Sequence, residues 1–216
     1  MKAIILSFDK QLPYAELTYR LYMDLWPACP FTFRIPWNHK KPTHLENKSN
    51  IELINCDKDI ALTIEALLNG INDNEWIYWC IDDRFPVYID GKKMLNLYSQ
   101  IKSFENYSFV KPFYLKFFPK NKPVFKGFVE QNSHHQWGYY NHHFCKAGLL
   151  RSLFSQKNCY RIYDFHKLLL NGFYYRRKGL RLPSTEVDYI KFEEPCRVGK
   201  RTLVGQQYLN DYGISG

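Results

Sequence analysis

The stretch EWIYWCIDDRF, residues 75–85, joins a run of six apolar residues directly to two carboxylates and an arginine. An apolar run of this length is typical of a β-strand that is buried on both faces, as the strands of a parallel sheet are. Asp82 and Asp83 then follow the carboxyl end of that strand. Because open α/β sheets bind their ligands at the carboxyl ends of their strands, this stretch predicts both a central strand and the location of a site.

Strands and helices alternate on the amino-terminal side of this stretch. Leucines at spacings of four predict the first helix. It ends before Pro27, because proline disfavours the helical conformation of the preceding residue. The alternation is typical of βαβ units, and it predicts an α/β fold with a mostly parallel sheet flanked by helices. The predicted elements are strands at 3–8, 31–35 and 51–55 and helices at 14–25 and 60–68.

The carboxyl-terminal part of the chain follows a less regular pattern. After about residue 123 the sequence becomes rich in aromatic residues and histidine, and we expect an irregular region there. We expect one domain over residues 1–216, made of two functional halves at 1–123 and 124–216. The elements predicted beyond the central strand are a helix at 89–101, a strand at 109–118, a helix at 144–154 and a shorter helix after Asp164.

The chain is basic, with 30 Lys and Arg against 21 Asp and Glu and a net charge of +9. This excess favours an anionic partner. The basic residues are spread thinly along the sequence, so we expect a phosphate-bearing small molecule and no nucleic acid. An ordinary lysine-rich surface is an equally good explanation. Aromatic residues make up 18% of the chain; most must fill the core, but such rings also stack on bases and on sugar faces.

The cysteines and the hydropathy pattern indicate where the protein resides. None of the six cysteines forms a Cys-x-x-Cys pair, and no run of apolar residues approaches the length of about 18 that a transmembrane helix requires. We therefore expect a cytoplasmic protein with free thiols and no transmembrane segment.

Polar residues follow the predicted strands at three points: Ser7 to Asp9, Trp37 with Asn38, and Asp82 to Arg84. Two adjacent carboxylates at the end of a buried strand are costly unless something neutralises them. Mn²⁺ or Mg²⁺ would do so, since both accept carboxylate oxygens and leave positions open for phosphate. The alternative is a structural turn, in which one carboxylate caps the next element and the other pairs with Arg84.

The order of these features resembles the nucleotide-sugar glycosyltransferases of the GT-A fold, and more specifically a bacterial and phage subgroup of glycosyltransferase-like proteins. The resemblance covers about residues 1–118 and extends more loosely to 136–138 and the helix that follows, on the family's acceptor side. It rests on the segments SFDK at 7–10, LWP at 25–27 and WCIDDRF at 79–85, taken in this order.

The resemblance implies a donor site at the strand ends. Asp83 would be the main metal ligand, and Asp82 would contact the metal or the ribose. The sequence has Asp-Asp-Arg where the family has Asp-x-Asp, so Arg84 is an alternative, bidentate partner for the diphosphate. The other residues predicted to bind substrate are Ser7, Phe8, Asp9, Trp37, Asn38 and Asp59 on the donor side and Trp137 on the acceptor side.

An inverting transferase also needs a carboxylate base for the acceptor hydroxyl. The resemblance places this base at Asp164, which is also an ordinary N-cap position; Glu130 and the acids of 186–194 are further candidates. We therefore predict transfer of a sugar from a nucleotide-sugar to a hydroxyl acceptor such as a surface glycan. The histidine pairs at 134–135 and 142–143 leave a metal-dependent phosphohydrolase or nuclease open. A non-catalytic nucleotide-sugar-binding protein is the third alternative.

Overall fold

The computed structural model describes residues 1–114, 122–130, 141–155, 183–194, 196–197 and 200–214. The strands are β1 (Lys2–Leu6), β2 (Thr32–Trp37), β3 (Ile51–Asn55), β4 (Trp76–Ile81), β5 (Phe85–Ile89), β6 (Phe109–Val110), β7 (Lys122–Phe125), β8 (Phe128–Glu130), β9 (His143–Lys146), β10 (Pro183–Thr185), β11 (Ile190–Glu193), β12 (Cys196–Arg197) and β13 (Lys200–Arg201). The α-helices are α1 (Leu12–Leu25), α2 (Ile60–Leu67), α3 (Gly91–Ile101), α4 (Ala147–Leu153) and α5 (Leu203–Asp211), and short 3₁₀ turns span Asp9–Gln11 and Thr43–Leu45.

Six strands form the central sheet in the order β3-β2-β1-β4-β9-β6. The four strands from β3 to β4 are parallel, whereas β9 runs antiparallel to both of its neighbours. The predicted α/β fold with a mostly parallel sheet is confirmed. Leu6 of β1 pairs with Ile81 of β4, and Trp37 of β2 pairs with Asn55 of β3, so the strand ends lie at one edge of the sheet.

The apolar sequence of β4 explains its central place, because alternate side chains enter two different cores. Tyr78 and Cys80 are fully buried on the face covered by α1 and α3. Ile77 and Trp79 are fully buried on the opposite face, under α2 and α4. The result is a sheet between two layers of helices, in which β4 contacts helices on both sides.

Two predicted helices begin later than expected. The segment predicted as a helix at 89–101 starts with the end of β5, and α3 begins only after Asp90, whose carboxylate caps it by accepting the Lys93 N–H at 3.0 Å. The prediction of a helix over 144–154 is wrong for its first residues, because Phe144 and Cys145 belong to β9 and pair with Tyr78 and Ile77 of β4. Pairing with a strand distant in sequence overrides the local helical pattern.

The strand predicted at 109–118 is also shorter than expected. Its described part is a strand only at β6, after which Lys111 makes a bridge to Ser184, and residues 115–118 lie outside the described part of the chain.

The region predicted to be irregular contains small antiparallel sheets. Strands β10, β8 and β7 form one, β12 and β13 a second, and β11 pairs with β5 of the amino-terminal half. Helix α5 then packs on α1, where Arg20 Nη1 donates to the Tyr212 carbonyl at 3.1 Å and the Tyr212 hydroxyl donates to Asp24 at 2.6 Å. Both β11 and α5 therefore bring the chain back onto its first half.

Within the described ranges, no helix combines the length and the hydropathy needed to span a bilayer. The four cysteines whose side chains are described, Cys29, Cys56, Cys80 and Cys145, are free thiols.

Candidate functional site

The carboxyl edge of the parallel strands brings together the donor-side residues that the sequence predicts. Ser7 follows β1, Asn38 follows β2, and Asp82 follows β4. The pairing of Leu6 with Ile81 places Ser7 beside Asp82, where the Ser7 hydroxyl favours the ionised form of the Asp82 carboxyl. The edge thus has a buried polar centre between β1 and β4.

Asp82 is half-buried, and one of its oxygens, Oδ2, is shielded from solvent without a hydrogen-bond partner among the described residues. Burial raises the pKa of Asp82 to about 7; the nearby Ser7 hydroxyl works against this rise, and the charge of Asp83 adds to it. A carboxyl group with such a pKa exchanges its proton near neutral pH. A buried oxygen without a partner is expected to accept a cation or a donor group from a ligand.

Asp83 is exposed, but neighbouring protein atoms still desolvate its carboxyl group and raise its pKa. The positive charge of Arg84 opposes the rise, and the negative charge of Glu194 adds to it. Arg84 Nη1 lies 2.5 Å from Glu194 Oε1, so the ion pair joins the end of β4 to the residue after β11. The turn alternative expected Arg84 to pair with one of the two aspartates, and the partner is Glu194 instead.

Asp9 organises the backbone of the loop after β2. One carboxylate oxygen accepts the N–H of Asn38 at 2.7 Å, and the other accepts those of His39 at 2.7 Å and Lys40 at 3.3 Å. Burial works to raise the pKa of Asp9, but the three N–H bonds outweigh it and hold the pKa below the ordinary value. Asp9 therefore shapes the site as a permanently ionised anchor of the loop.

Asn38 and Asp59 also bond to the backbone. The Asn38 amide donates to the carbonyls of Cys56 at 3.1 Å and Asp57 at 2.8 Å, which fixes the end of β2 to the segment after β3. Asp59 is the N-cap of α2, where its carboxylate accepts the Leu62 N–H at 3.0 Å. Both residues hold the edge in shape, and neither leaves its polar group free of intramolecular bonds.

Two aromatic residues complete this edge. The side chain of Phe8 is 51% exposed, so a large part of its ring faces solvent beside the buried Ser7. Trp37 is half-buried, and its indole Nε1 has no hydrogen-bond acceptor among the described residues. The open ring face of Phe8 is a surface on which a planar ligand such as a nucleoside can stack, whereas Trp37 Nε1 is shielded from solvent.

The residues present fit a divalent cation only if the ligand supplies part of its coordination. Within the described ranges, no three His, Cys, Asp or Glu side chains lie close enough together to hold a metal ion. Asp82 and Asp83 offer two carboxylates, one with an unpartnered oxygen. Mg²⁺ and Mn²⁺ are commonly bound in this way, by one or two carboxylates together with substrate phosphates.

The described histidine pair does not form a metal centre. His142 and His143 are both fully buried, and both ring nitrogens of His142 contact protein groups, the Tyr22 hydroxyl at 2.7 Å and the Ile81 carbonyl at 3.0 Å. This arrangement removes His142 from the phosphohydrolase alternative.

The remaining predicted residues belong to the acceptor side. Trp137 and Asp164, predicted on the acceptor side and as the base, lie outside the described part of the chain. Sequence reasoning missed Tyr22 and the pairing of Glu194 with Arg84, since neither follows from a local motif. The sequence predicts the acids of 186–194 only as candidate bases. Arg84, which follows two aspartates, indicates an ion pair but does not identify Glu194 as its partner.

Comparison with known proteins identifies the fold. No family model matches the sequence, and no curated protein matches it. A crystal structure of an active-site mutant of LgtC matches with a TM-score of 0.50 at 11% identity, covering 99% of this chain and 95% of that one. The 2-C-methyl-D-erythritol 4-phosphate cytidylyltransferase of Francisella tularensis matches with a TM-score of 0.50 at 14% identity, covering 98% of this chain and 97% of that one. The chain therefore has a GT-A-like fold.

Proposed function

We propose that the protein is a transferase that binds a nucleotide-sugar at the carboxyl edge of β1, β2 and β4 and moves the sugar to a hydroxyl acceptor. The observation that carries the proposal is the unpartnered, buried Oδ2 of Asp82 beside the exposed Asp83, at the strand edge where α/β sheets bind ligands. The cytidylyltransferase with the same fold is named for the transfer of a nucleotide, which supports a nucleotide ligand at this edge.

Each described residue has a separate part in this proposal. The exposed ring of Phe8 stacks on the base, while Asp9 and Asn38 hold the loop that borders the nucleoside. Asp82 and Asp83 direct carboxylate oxygens towards the diphosphate. Mn²⁺ or Mg²⁺ bound to them would supply Lewis-acid stabilisation of the diphosphate as a leaving group. Glu194 pairs with Arg84 beside these carboxylates and offsets its positive charge.

Protonation of Asp82 limits this site at low pH. Burial raises the pKa of Asp82 to about 7, so the protonated form, which offers a poorer oxygen ligand, predominates in mildly acidic solution. Metal-dependent nucleotide binding should therefore strengthen as the pH rises through neutrality. Asp164 is the proposed base for the acceptor hydroxyl and acts on the second substrate, so its loss should lower turnover more than donor binding.

The test is calorimetric titration of nucleoside diphosphates and nucleotide-sugars, with and without Mn²⁺. We expect the wild type to bind one nucleotide in a Mn²⁺-dependent manner and Asp83→Ala to bind it at least about tenfold more weakly. Glu65→Ala is the matched control, since it removes the same charge from an exposed position on α2 and should bind like the wild type. If the wild type binds no nucleotide under any metal condition, the proposal is refuted.

A non-catalytic binding protein is the alternative that this titration leaves open. It is favoured by the engagement of Arg84 with Glu194, which occupies a cation that would otherwise face the diphosphate. Release of nucleoside diphosphate from a bound nucleotide-sugar in the presence of acceptor glycans distinguishes the two. Turnover lost in Asp164→Asn with donor binding retained would establish the transferase.

A further inference from the structure

The backbone ladder between β4 and β9 ends before β4 itself ends. Trp79 is paired with His143, but Ile81, two residues further along β4, has no partner residue in β9. The carbonyl of Ile81 receives a side-chain partner instead, because His142 Nε2 lies 3.0 Å from it. An imidazole thus replaces the missing ladder hydrogen bond at the last residue before Asp82.

The partners of His142 determine the position of its proton. A carbonyl oxygen can only accept, so Nε2 must carry the hydrogen that it donates to Ile81. The other nitrogen, Nδ1, lies 2.7 Å from the Tyr22 hydroxyl and, in the neutral ring, accepts from it. The tautomer is therefore specified by one residue of α1 and one of β4.

The surroundings of the ring keep it fixed and neutral. His142, Tyr22 and Tyr78 are all fully buried, and the hydroxyls of the two tyrosines lie 3.0 Å apart. The Tyr22 and His142 rings are stacked with centroids 5.8 Å apart, and Phe192 lies edge-on to the imidazole at 4.6 Å. Burial lowers the pKa of His142 to about 3, against the opposing effect of the Ile81 hydrogen bond, so the ring stays uncharged at ordinary pH.

We infer that His142 is a positioning residue for Asp82, holding the peptide between Ile81 and Asp82 so that the Asp82 carboxyl projects correctly at the sheet edge. This inference rests on the proposed function, because it assigns a role in donor binding to a residue that touches no substrate. Its physical basis is that a ligand group must be held within about 0.5 Å of its productive position by residues behind it. His142 is fastened to α1, β4 and β9 at once and can provide that support.

The first test determines the proton position without any ligand. Nitrogen NMR of ¹⁵N-histidine protein should show one neutral imidazole with the proton on Nε2, unchanged from pH 5 to 9 and missing from the spectrum of His142→Gln. A proton on Nδ1, or titration of this ring within that range, would overturn the inference, since the donor to Ile81 would then be absent or charged.

The second test separates positioning from general stability. His142→Phe should weaken Mn²⁺-dependent nucleotide binding by about tenfold or more while metal-independent binding stays within about threefold of the wild type. His142→Gln, whose amide retains a donor, should recover most of the metal-dependent binding. The same substitution one residue further along, His143→Phe, is the matched control, because the ring of His143 stacks on Phe109 and its Nδ1 lies 2.6 Å from the Asn141 carbonyl.

The outcomes distinguish this inference from the proposed function. If the wild type binds nucleotide with Mn²⁺ and His142→Phe binds it equally well, the positioning role is wrong and the proposed function stands. If both His142→Phe and His143→Phe lose metal-dependent and metal-independent binding alike, His142 serves the core only and the inference fails. If the wild type binds no nucleotide, the proposed function fails and the positioning role falls with it.

Discussion

Replacing Asp82 by asparagine should make the protein more stable at alkaline pH. The folded chain buries the Asp82 carboxyl, leaves Oδ2 without a partner among the described residues and raises the pKa to about 7. Asparagine has nearly the shape of the protonated acid and carries no charge. The variant therefore resembles the folded protein at low pH and removes a charge that the fold disfavours at high pH.

The size and direction of the effect follow from the pKa. Below pH 3.8 the carboxyl is neutral in both the folded and the unfolded chain. Between pH 3.8 and about 7 the unfolded chain ionises while the folded chain keeps its proton, so stability falls as the pH rises and levels off above 7. The full change in proton affinity corresponds to about 4 kcal/mol, and because half-buried Asp82 keeps some solvent contact we expect a gain of about 2 to 4 kcal/mol for Asp82→Asn.

Urea unfolding between pH 4.5 and 8.5 measures this difference. The free energies of unfolding of wild type and Asp82→Asn should diverge with rising pH, the variant becoming more stable. Asp90→Asn is the control of opposite sign: the N–H of Lys93 lowers the pKa of Asp90, so its charge stabilises the fold across this whole range and the loss in the variant should not change with pH. Stability curves for the wild type and Asp82→Asn that stay parallel over this range would refute the reasoning.

Three further predictions concern the framework of the fold, and each is measured by urea unfolding. Asp9→Ala and Asn38→Ala should each lower the free energy of unfolding by about 1 to 3 kcal/mol. Because both residues hold one loop, the double variant should lose less than the sum of the two single losses, and strictly additive losses would contradict this. Gly91→Ala should lower the free energy of unfolding by about 1 to 3 kcal/mol, because the added Cβ would overlap the Trp26 indole. An unchanged free energy of unfolding would mean that the indole moves freely. Arg151→Leu should lower the free energy of unfolding by about 1 to 3 kcal/mol, because Arg151 donates to two backbone carbonyls after α2. A loss no larger than that from substituting an exposed lysine would contradict a stabilising role for these hydrogen bonds.

The parallel part of the sheet was predictable because each strand carries its own signal. All six residues of β4 are buried, as the apolar run in 75–85 predicts, and β1 lies beside it in the register that brings Ser7 to Asp82. Pro27 and the leucine spacing placed the first helix close to α1. Where burial on both faces forces a continuous apolar sequence, local pattern and tertiary structure agree.

The antiparallel additions to the fold were not predictable in the same way. Phe144 and Cys145 form a strand only because β4 offers them a pairing edge, and β5 is completed by β11, about a hundred residues later. Sequence-local periodicity contains no information about such partners, and short apolar runs fit a helix or a strand equally well. The misplaced boundaries fall at strands that exist through long-range pairing.

At the candidate site, the sequence predicts which residues lie there but not what each of them contacts. Asp9 and Asn38 were predicted as polar residues at strand ends, and Asp59 through the resemblance as a residue on the turn into the second helix. Their hydrogen bonds go to backbone groups, which depend on loop conformation and not on the identity of the contacted side chains. A polar residue at a strand end can therefore either hold the backbone in place or bind a ligand, and the sequence alone does not distinguish these two roles.

The energetic difference between holding the backbone and binding a ligand distinguishes Asp82 from Asp9. Asp9 is ionised at a lower pH than usual because three N–H groups bond to it, so the fold itself satisfies its charge. Asp82 leaves an oxygen buried and unpartnered among the described residues, so ionisation at neutral pH weakens the fold. A carboxylate of the second kind gains the most from an external cation, because binding removes a penalty that the folded chain otherwise retains. The hydrogen bond between His142 and the Ile81 carbonyl holds the backbone directly before Asp82, so this carboxylate stands on a fixed peptide.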